Sequence, residues 1–293
     1  MKGPLEITGR SALYAILGDP VDHSLSPVFQ NEAFRAAGVD GVYVPLQVPL
    51  KDLPAVVKAL SHTSLGGFNA TIPLKESLAG LCAELSDEAR LIGAVNAVEL
   101  KDGRIIGHNT DGRGFLASLK EDATFNVKGK RVCLLGAGGA SRAIAFTLAK
   151  AGAARIVICN RTAGRAKTLV GDLTRRVPNA PATGSSLRMS ELSRALEGTD
   201  LIVQTTPVGL GGQGVLPLPW GVIRKTALVV DIVYRPAHTP FLVEARRRGH
   251  PTLGGLGMLV RQGALAFEIW TGKKPDVARM RKAAEQALRH GAA

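Results

Sequence analysis

Two clusters near the middle of the chain have residue types that could hold a polyphosphate. Gly136, Ala137, Gly138, Gly139 and Ala140 follow the apolar run Arg131 to Leu135, and Ser141 to Lys150 then sets Ile144, Leu148 and several alanines at helical spacing. A phosphate can approach a backbone closely only where no Cβ intrudes, and the first amides of the following helix add hydrogen bonds and the positive end of its dipole. The fit to G-x-G-x-x-G is incomplete, because Ser141 stands at the third glycine position. A second apolar run, Arg155 to Cys159, follows at the distance expected of a βαβ unit with parallel strands. That context favours phosphate binding over a purely structural turn.

At the end of the second run stand Asn160, Arg161 and Thr162, with Arg165 one turn later. An acidic residue in this region would accept a ribose 2′-OH. Two guanidiniums and a hydroxyl instead suit a 2′-phosphate, which a carboxylate would repel. The cofactor these residues imply is NADP(H).

A second set of polar side chains lies earlier. Ser24 and Ser26 flank the start of a helix pattern, Val28 to Ala37, with Ser26 reading as its N-cap and Pro27 as the first helical residue. Two hydroxyls beside a helix N-terminus make a carboxylate cradle. If Phe68 to Ile72 is a strand, Asn69 and Thr71 share one face and Phe68, Ala70 and Ile72 the other. Lys75 opens the next helix, at the unfavourable end of its dipole. It is either a solvated surface lysine or a proton donor eased toward release by burial and the dipole, and spacing does not decide between them. Asn96 is an amide in an apolar run, and Asp111 closes a strand beside Gly112, where turn formation is the simpler reading. Asp19, Asp22 and His23 have no partner cluster that would complete a metal site, so none is assigned.

These groups need a scaffold. Leu13 to Gly18 and Val42 to Val48 read as strands, Leu53 to His62 as a helix, and Lys101-Asp102-Gly103 as a hairpin joining runs at Gly93 to Leu100 and Arg104 to Gly112. Gly112 to Leu119 then reads as a linking helix. Farther on, Pro178 to Ser186 reads as a loop, Ser190 to Leu196 as a helix, Leu201 to Thr205 as a strand and Thr206 to Leu210 as a flexible loop. Leu228 to Val233 reads as a buried strand ending at Tyr234, and Met258 to Trp270 and Val277 to Arg289 as helices. Strands alternating with helices give an α/β fold.

At 293 residues and 45% hydrophobic, the chain can bury a core in each of two domains. No apolar run approaches the ~20 residues of a membrane span, and the opening MKGPLEITGR lacks a secretory apolar segment, which together give the expectation of a cytoplasmic protein without a membrane partner. Cys82, Cys133 and Cys159 lack metal-ligand spacing and read as small buried hydrophobes. The net charge of +13 comes from 37 scattered basic residues, and with 4% aromatic residues there is no stacking platform, so nucleic acid is not the expected partner. A basic field would still attract a polyanionic cofactor.

Taken together, HSLSP at 23–27, N-x-T-x-P-x-K at 69–75, GAVN at 93–96, NTDG at 109–112, GAGGASRA at 136–143 and NRT at 160–162 resemble the shikimate dehydrogenases, in order and spacing. The resemblance continues through Asp231-x-x-Tyr234-x-Pro236, Thr239-Pro240-Phe241-Leu242 and Gly255-Leu256-Gly257-Met258-Leu259 with Gln262, and so covers nearly the whole chain. It implies NADPH-dependent reduction of 3-dehydroshikimate to shikimate, on the route to aromatic amino acids. It implies a substrate-binding α/β domain, 1–111 plus 258–293, and a Rossmann-type NADP-binding domain, 112–257, with the last helices returning to the first domain and the substrate in the cleft between them. By the same resemblance, Ser24 and Ser26 hold the substrate carboxylate. Asn69, Thr71, Asn96, Asp111 and Gln262 surround the ring hydroxyls, with Tyr234 as a further substrate contact. Lys75 passes the proton with Asp111 as its partner. Ile232 and Gly255 join the glycine loop, Asn160, Arg161, Thr162 and Arg165 at the cofactor, and a monomer or homodimer is expected. Ala70 is smaller than the valine common at that place, and the first ten residues, which match nothing, are expected to be disordered. Two alternatives stand beside this reading. A quinate-acting relative would carry an acidic residue near 161 and a threonine at 26, and a non-catalytic NADP-binding module would have lost Lys75 or Asp111.

Overall fold

A computed structural model describes residues 7–289. The first six residues of the ten expected to be disordered lie outside that range, and Thr8 to Ser11 close an exposed turn. The described chain forms two compact units. One runs to Gly114 and resumes at Val260, and the other is Phe115–Leu259.

The first unit is built on a mixed sheet. In chain order it contains β1 (Ala12–Gly18), α1 (Ser26–Ala37), β2 (Gly41–Gln47), α2 (Leu53–Leu60), β3 (Leu65–Ala70), α3 (Lys75–Ala79), β4 (Glu84–Leu85), α4 (Asp87–Ile92), β5 (Ala97–Lys101), β6 (Arg104–His108) and the start of α5 (Asp111–Ala123). The sheet order is β2-β1-β3-β5-β6-β4, with β1 parallel to both neighbours and β3, β5 and β6 antiparallel. Asp102 and Gly103 form the hairpin between β5 and β6 with φ of 51° and 73°, the left-handed pair a two-residue turn requires.

Phe68, Ala70, Leu74 and Val98 pack with Leu17 and Leu53 in a fully buried core. Ala70 therefore fills its place without exposing a gap to solvent.

In the second unit the elements are β7 (Arg131–Leu135), α6 (Gly139–Lys150), β8 (Arg155–Asn160), α7 (Ala163–Arg176), β9 (Ala182–Ser186), α8 (Met189–Leu196), β10 (Leu201–Gln204), β11 (Leu228–Asp231), α9 (Pro240–Arg247) and β12 (Thr252–Gly254). All six strands pair in parallel, in the order β12-β11-β10-β7-β8-β9. This is the doubly wound arrangement, and its strand order reverses between β7 and β10, where ligands of such folds bind beyond the carboxyl ends of the strands. Cys133 and Cys159 sit in its core as free thiols, Sγ to Sγ 3.8 Å.

Two helices close the chain, α10 (Leu256–Thr271) and α11 (Val277–Arg289). From Val260 on they belong to the first unit. Trp270 stacks on Tyr14 at 5.1 Å and donates its indole N–H to the Val98 carbonyl at 2.9 Å, while α11 packs along α1. A Cβ on Gly263 would come within 2.5 Å of Phe29, and one on Gly114 within 2.7 Å of the Gln262 amide, so glycine at these points lets α10 lie against α1 and α5.

The structure corrects several sequence expectations. Residues 178–186 are not all loop, because Ala182–Ser186 is the edge strand β9. Its polar sequence carries no alternation, since an edge strand beside β8 has little to bury. The third strand ends at Ala70, not Ile72, so Thr71 lies beyond the pairing and Ile72, expected on the apolar face, is 59% exposed. Asp111 opens helix α5 and does not end a strand; β6 stops at His108. Among the described residues, no helix is long and apolar enough to cross a membrane.

Candidate active site and cofactor loops

In the first unit, Lys75, Asp111, Asn96, Gln262 and Asn69 join into one network of hydrogen bonds. Lys75 is the first residue of α3 and Asp111 the first of α5. The Lys75 ammonium donates to Asp111 Oδ2 at 2.5 Å, with side-chain exposures of only 14% and 4%. The dipole of α5 favours the carboxylate at its N-terminus, and that carboxylate in turn offsets the poor placement of the ammonium on α3. A bare surface lysine is thereby excluded.

Asn96, just before β5, ties the rest together. Its Nδ2 lies 2.9 Å from Asp111 Oδ1, 2.9 Å from Thr110 Oγ1 and 3.0 Å from Gln262 Oε1, and its Oδ1 accepts from the Thr110 amide at 2.7 Å. Two N–H protons serve three acceptors, so this amide is fully engaged within the protein. Its backbone carbonyl accepts from Asn69 Nδ2 at 3.0 Å, and Asn69 Oδ1 accepts from the Tyr43 hydroxyl at 2.7 Å. The Ser26 hydroxyl lies near the buried Tyr43 phenol, and the Ser26 amide donates to Ser24 Oγ at 3.2 Å. Thr71 reaches the same region by its backbone, donating to the Leu17 carbonyl at 2.8 Å beside Gly18.

One part of the serine expectation is overturned. The N-cap of α1 is Leu25, without a side-chain cap bond, and Ser26 is already helical. Ser24 takes over the part expected of Ser26, because its hydroxyl oxygen accepts the Ser26 amide just ahead of the helix. Its own O–H remains available to a ligand.

In the second unit, the glycine loop lies at the reversal point of the sheet. Gly136 has a φ of 123°, and a Cβ there would come within 2.4 Å of Thr205 Oγ1 at the end of β10. Glycine at 136 is thus required by the fold. A Cβ on Gly138 would meet nothing within 4 Å, so glycine there answers no packing need of the protein itself and leaves a cradle open at the start of α6. That helix has no side-chain cap and no acidic residue in its first turn, so its leading amides suit a diphosphate. Ala137, Gly139 and Ala140 line the same half-buried turn.

Ser141, at the third glycine position, is fully buried and donates to the Gly136 carbonyl at 2.7 Å. The departure from the fingerprint is therefore a brace for the loop. At the end of β8, Asn160 Nδ2 donates to the Thr162 carbonyl at 3.0 Å, and Arg161, Thr162 and Arg165 stand exposed around the start of α7, which also lacks a side-chain cap. These groups fit a 2′-phosphate. Gly255 is needed because a Cβ would clash with the Ile232 carbonyl at 2.1 Å, and Tyr234, half-buried, follows β11 in this unit.

A buried polar knot fixes the loops beyond β10 and β11. Asp231 Oδ2 accepts from the Thr239 hydroxyl at 2.7 Å and Oδ1 from the Val233 amide at 3.0 Å, while Gln204 Nε2 reaches the Val208 carbonyl at 2.8 Å and Asp231 Oδ1 at 3.3 Å. Burial lifts the Asp231 carboxyl from its ordinary 3.8 to about 6, against the hydrogen bonds from Thr239 and Val233 that favour its charge. Between about pH 4 and 6 the folded chain then keeps a proton that the unfolded chain releases, so this group adds stability as pH falls through that window. Thermal melting of wild type and Asp231→Asn at about pH 5 and 8 checks this. Wild type is expected to gain on the variant at the lower pH, and a difference independent of pH overturns the assignment.

Comparison with known proteins agrees with this geometry. The shikimate dehydrogenase substrate-binding-domain model matches residues 16–98, the shikimate/quinate 5-dehydrogenase model 118–208 and the shikimate 5′-dehydrogenase C-terminal-domain model 255–285. The shikimate dehydrogenase (NADP(+)) of Methanopyrus kandleri is 42% identical over 291 residues, 99% of this chain and 100% of its own. The chain belongs to the shikimate dehydrogenase family.

A crystal structure of the shikimate 5-dehydrogenase of Thermus thermophilus in complex with NADP(H) and shikimate has a TM-score of 0.82 at 39% identity, covering 94% of this chain and 99% of that one. The ligand-free 5-ketofructose reductase of a Gluconobacter species has a TM-score of 0.80 at 38% identity, covering 95% and 99%. Within the shikimate dehydrogenase fold, then, the choice of substrate rests on side chains. Two members of the hydrogen-bond network were not legible as such in the sequence. Thr110 sat unremarked inside the NTDG run, and Tyr43 was read only as part of a strand, although a hydroxyl between Val42 and Val44 was a signal.

Proposed function

We propose that this chain is an NADP-dependent shikimate dehydrogenase, reducing 3-dehydroshikimate to shikimate reversibly as a cytoplasmic monomer or homodimer. Residues 1–111 plus 258–293 form the substrate domain in this reading and 112–257 the cofactor domain. The observation that carries it is the hydrogen-bond chain from Tyr43 through Asn69 and Asn96 to a buried Lys75–Asp111 pair, with the Ser24–Ser26 turn beside Tyr43. Together these present a hydroxyl free to hold a carboxylate, an amide edge for ring hydroxyls and a charged proton donor.

NADPH, when bound, supplies the hydride. Lys75 gives its proton to the carbonyl oxygen on which charge develops, and in the reverse direction takes one from the shikimate hydroxyl. Asp111 holds the ammonium in place and balances its charge. Gly136 to Ala140 would receive the diphosphate, and Arg161 with Thr162 and Arg165 the 2′-phosphate.

Steady-state assays with shikimate and quinate, each against NADP and NAD, test this reading. Shikimate with NADP is the expected preferred pair, since Arg161 and Ser26 stand where a quinate enzyme using NAD would differ. Preference for quinate with NAD overturns it.

The serines make a separate prediction. Ser24→Ala removes both a carboxylate donor and the acceptor of the Ser26 amide, so it should cost about 0.5–1.5 kcal/mol of stability and also weaken shikimate binding. Melting curves and the KM for shikimate check the two effects. An analogue lacking the carboxylate should bind wild type and Ser24→Ala about equally, and discrimination between them would put the carboxylate elsewhere.

A further inference from the structure

Tyr43 heads the polar chain but belongs to none of the motifs. It is 1% exposed on β2, and its height is fixed from α1: its amide donates to Asn31 Oδ1 at 2.8 Å, and Asn31 Nδ2 donates back to the Tyr43 carbonyl at 2.9 Å. Its ring packs against Trp270 at 6.0 Å. The backbone and ring are therefore held without help from the hydroxyl.

The hydroxyl has a different task, which proton counting reveals. Asn69 Nδ2 faces the Asn96 carbonyl, an acceptor only, so the amide nitrogen must point there and its oxygen toward Tyr43. Burial keeps the phenol protonated by raising its pKa well above the ordinary tyrosine value. Its single proton goes to Asn69 Oδ1 at 2.7 Å. Donation runs one way, from Tyr43 to Asn69 to Asn96. All three residues are buried, at 1%, 4% and 1% exposure. What remains free for a ligand on Asn69 is one N–H and one lone pair of its oxygen.

We propose that Tyr43 is a positioning residue for substrate, its hydroxyl locking the Asn69 amide so that the free N–H meets a ring hydroxyl. The ligand in this statement rests on the shikimate reading, whereas the direction of the hydrogen-bond chain does not.

Tyr43→Phe keeps the ring and removes the hydroxyl. It should raise the KM for shikimate about five- to tenfold, with kcat changed less than about twofold and the KM for NADP unchanged. In an Asn69→Ala background the same change should cost almost nothing more in kcat/KM, because the group it positions is gone. An equal loss in both backgrounds, or a loss expressed in kcat or in the KM for NADP, is the mark of a merely structural role and overturns the proposal. A second measurement needs no turnover. In the substrate-free protein Tyr43→Phe should shift the Asn69 side-chain amide NMR resonances and speed exchange between its two amide protons. Unchanged amide resonances overturn the proposal even if shikimate is the substrate. Absence of shikimate turnover in wild type would instead count against the functional reading, with the amide resonances still deciding on Tyr43.

Discussion

Lys75→Ala is expected to lower the rate of the chemical step by a factor on the order of 10² to 10⁴, the range for a lost general acid, and to leave the KM for shikimate nearly unchanged. The ammonium lies 2.5 Å from Asp111 and is 14% exposed, so alanine here leaves that carboxylate without its charged partner. Removing it does not dissolve the site. Asp111 keeps its bond from Asn96 Nδ2 at 2.9 Å and its place at the N-terminus of α5, where its charge is favoured. Substrate should therefore still bind, and the loss should fall on turnover. Single-turnover and steady-state rates with shikimate and NADP measure it. Near-wild-type turnover with only a raised KM would assign Lys75 to binding and sink the role given to it.

The second large effect concerns the cofactor. Arg161→Ala should raise the KM for NADP roughly tenfold or more, because a charge-assisted contact is worth about 1.5–3 kcal/mol, while the KM for NAD should hardly move. Arg161 is exposed beside the uncapped start of α7 and has no carboxylate partner among the described residues, so its loss removes charge from the pocket without opening the core. Part of the effect remains with Arg165 and Thr162, which bounds it from above. Equal losses for NADP and NAD would mean that Arg161 supports the turn and does not read the phosphate.

The sequence carried the second unit well, for reasons visible in particular residues. β7, α6 and β8 follow from apolar runs that are buried on both faces, and the glycines between them have no competing reading in a strand-turn-helix context. β9 was illegible because ATGSS has neither alternation nor β-branched bulk beyond one threonine, and the neighbouring β8 supplies its order. In the first unit, the residues of the polar chain were legible by type, but their connections were not. Asp111 and Lys75 are 36 positions apart, and Asn96 and Gln262 are 166 apart, so only packing brings them together. The N-cap at Ser26 failed for a local reason: the chain is already helical at Leu25, which moves the useful hydroxyl to Ser24. Tyr43 escaped notice because a tyrosine in a strand is ordinarily read as bulk, and its hydroxyl acquires meaning only when Asn69 is found opposite.

The two glycines of the phosphate loop also differ in what they offer an experimenter. A side chain at 136 would strike Thr205, whereas one at 138 projects into open space from a φ of −98° that any residue adopts. Alanine at 138 should accordingly yield a correctly folded protein with weakened dinucleotide binding. Such a variant would let substrate affinity be titrated calorimetrically with little turnover, and would serve as the matched control for any screen aimed at the cofactor cradle.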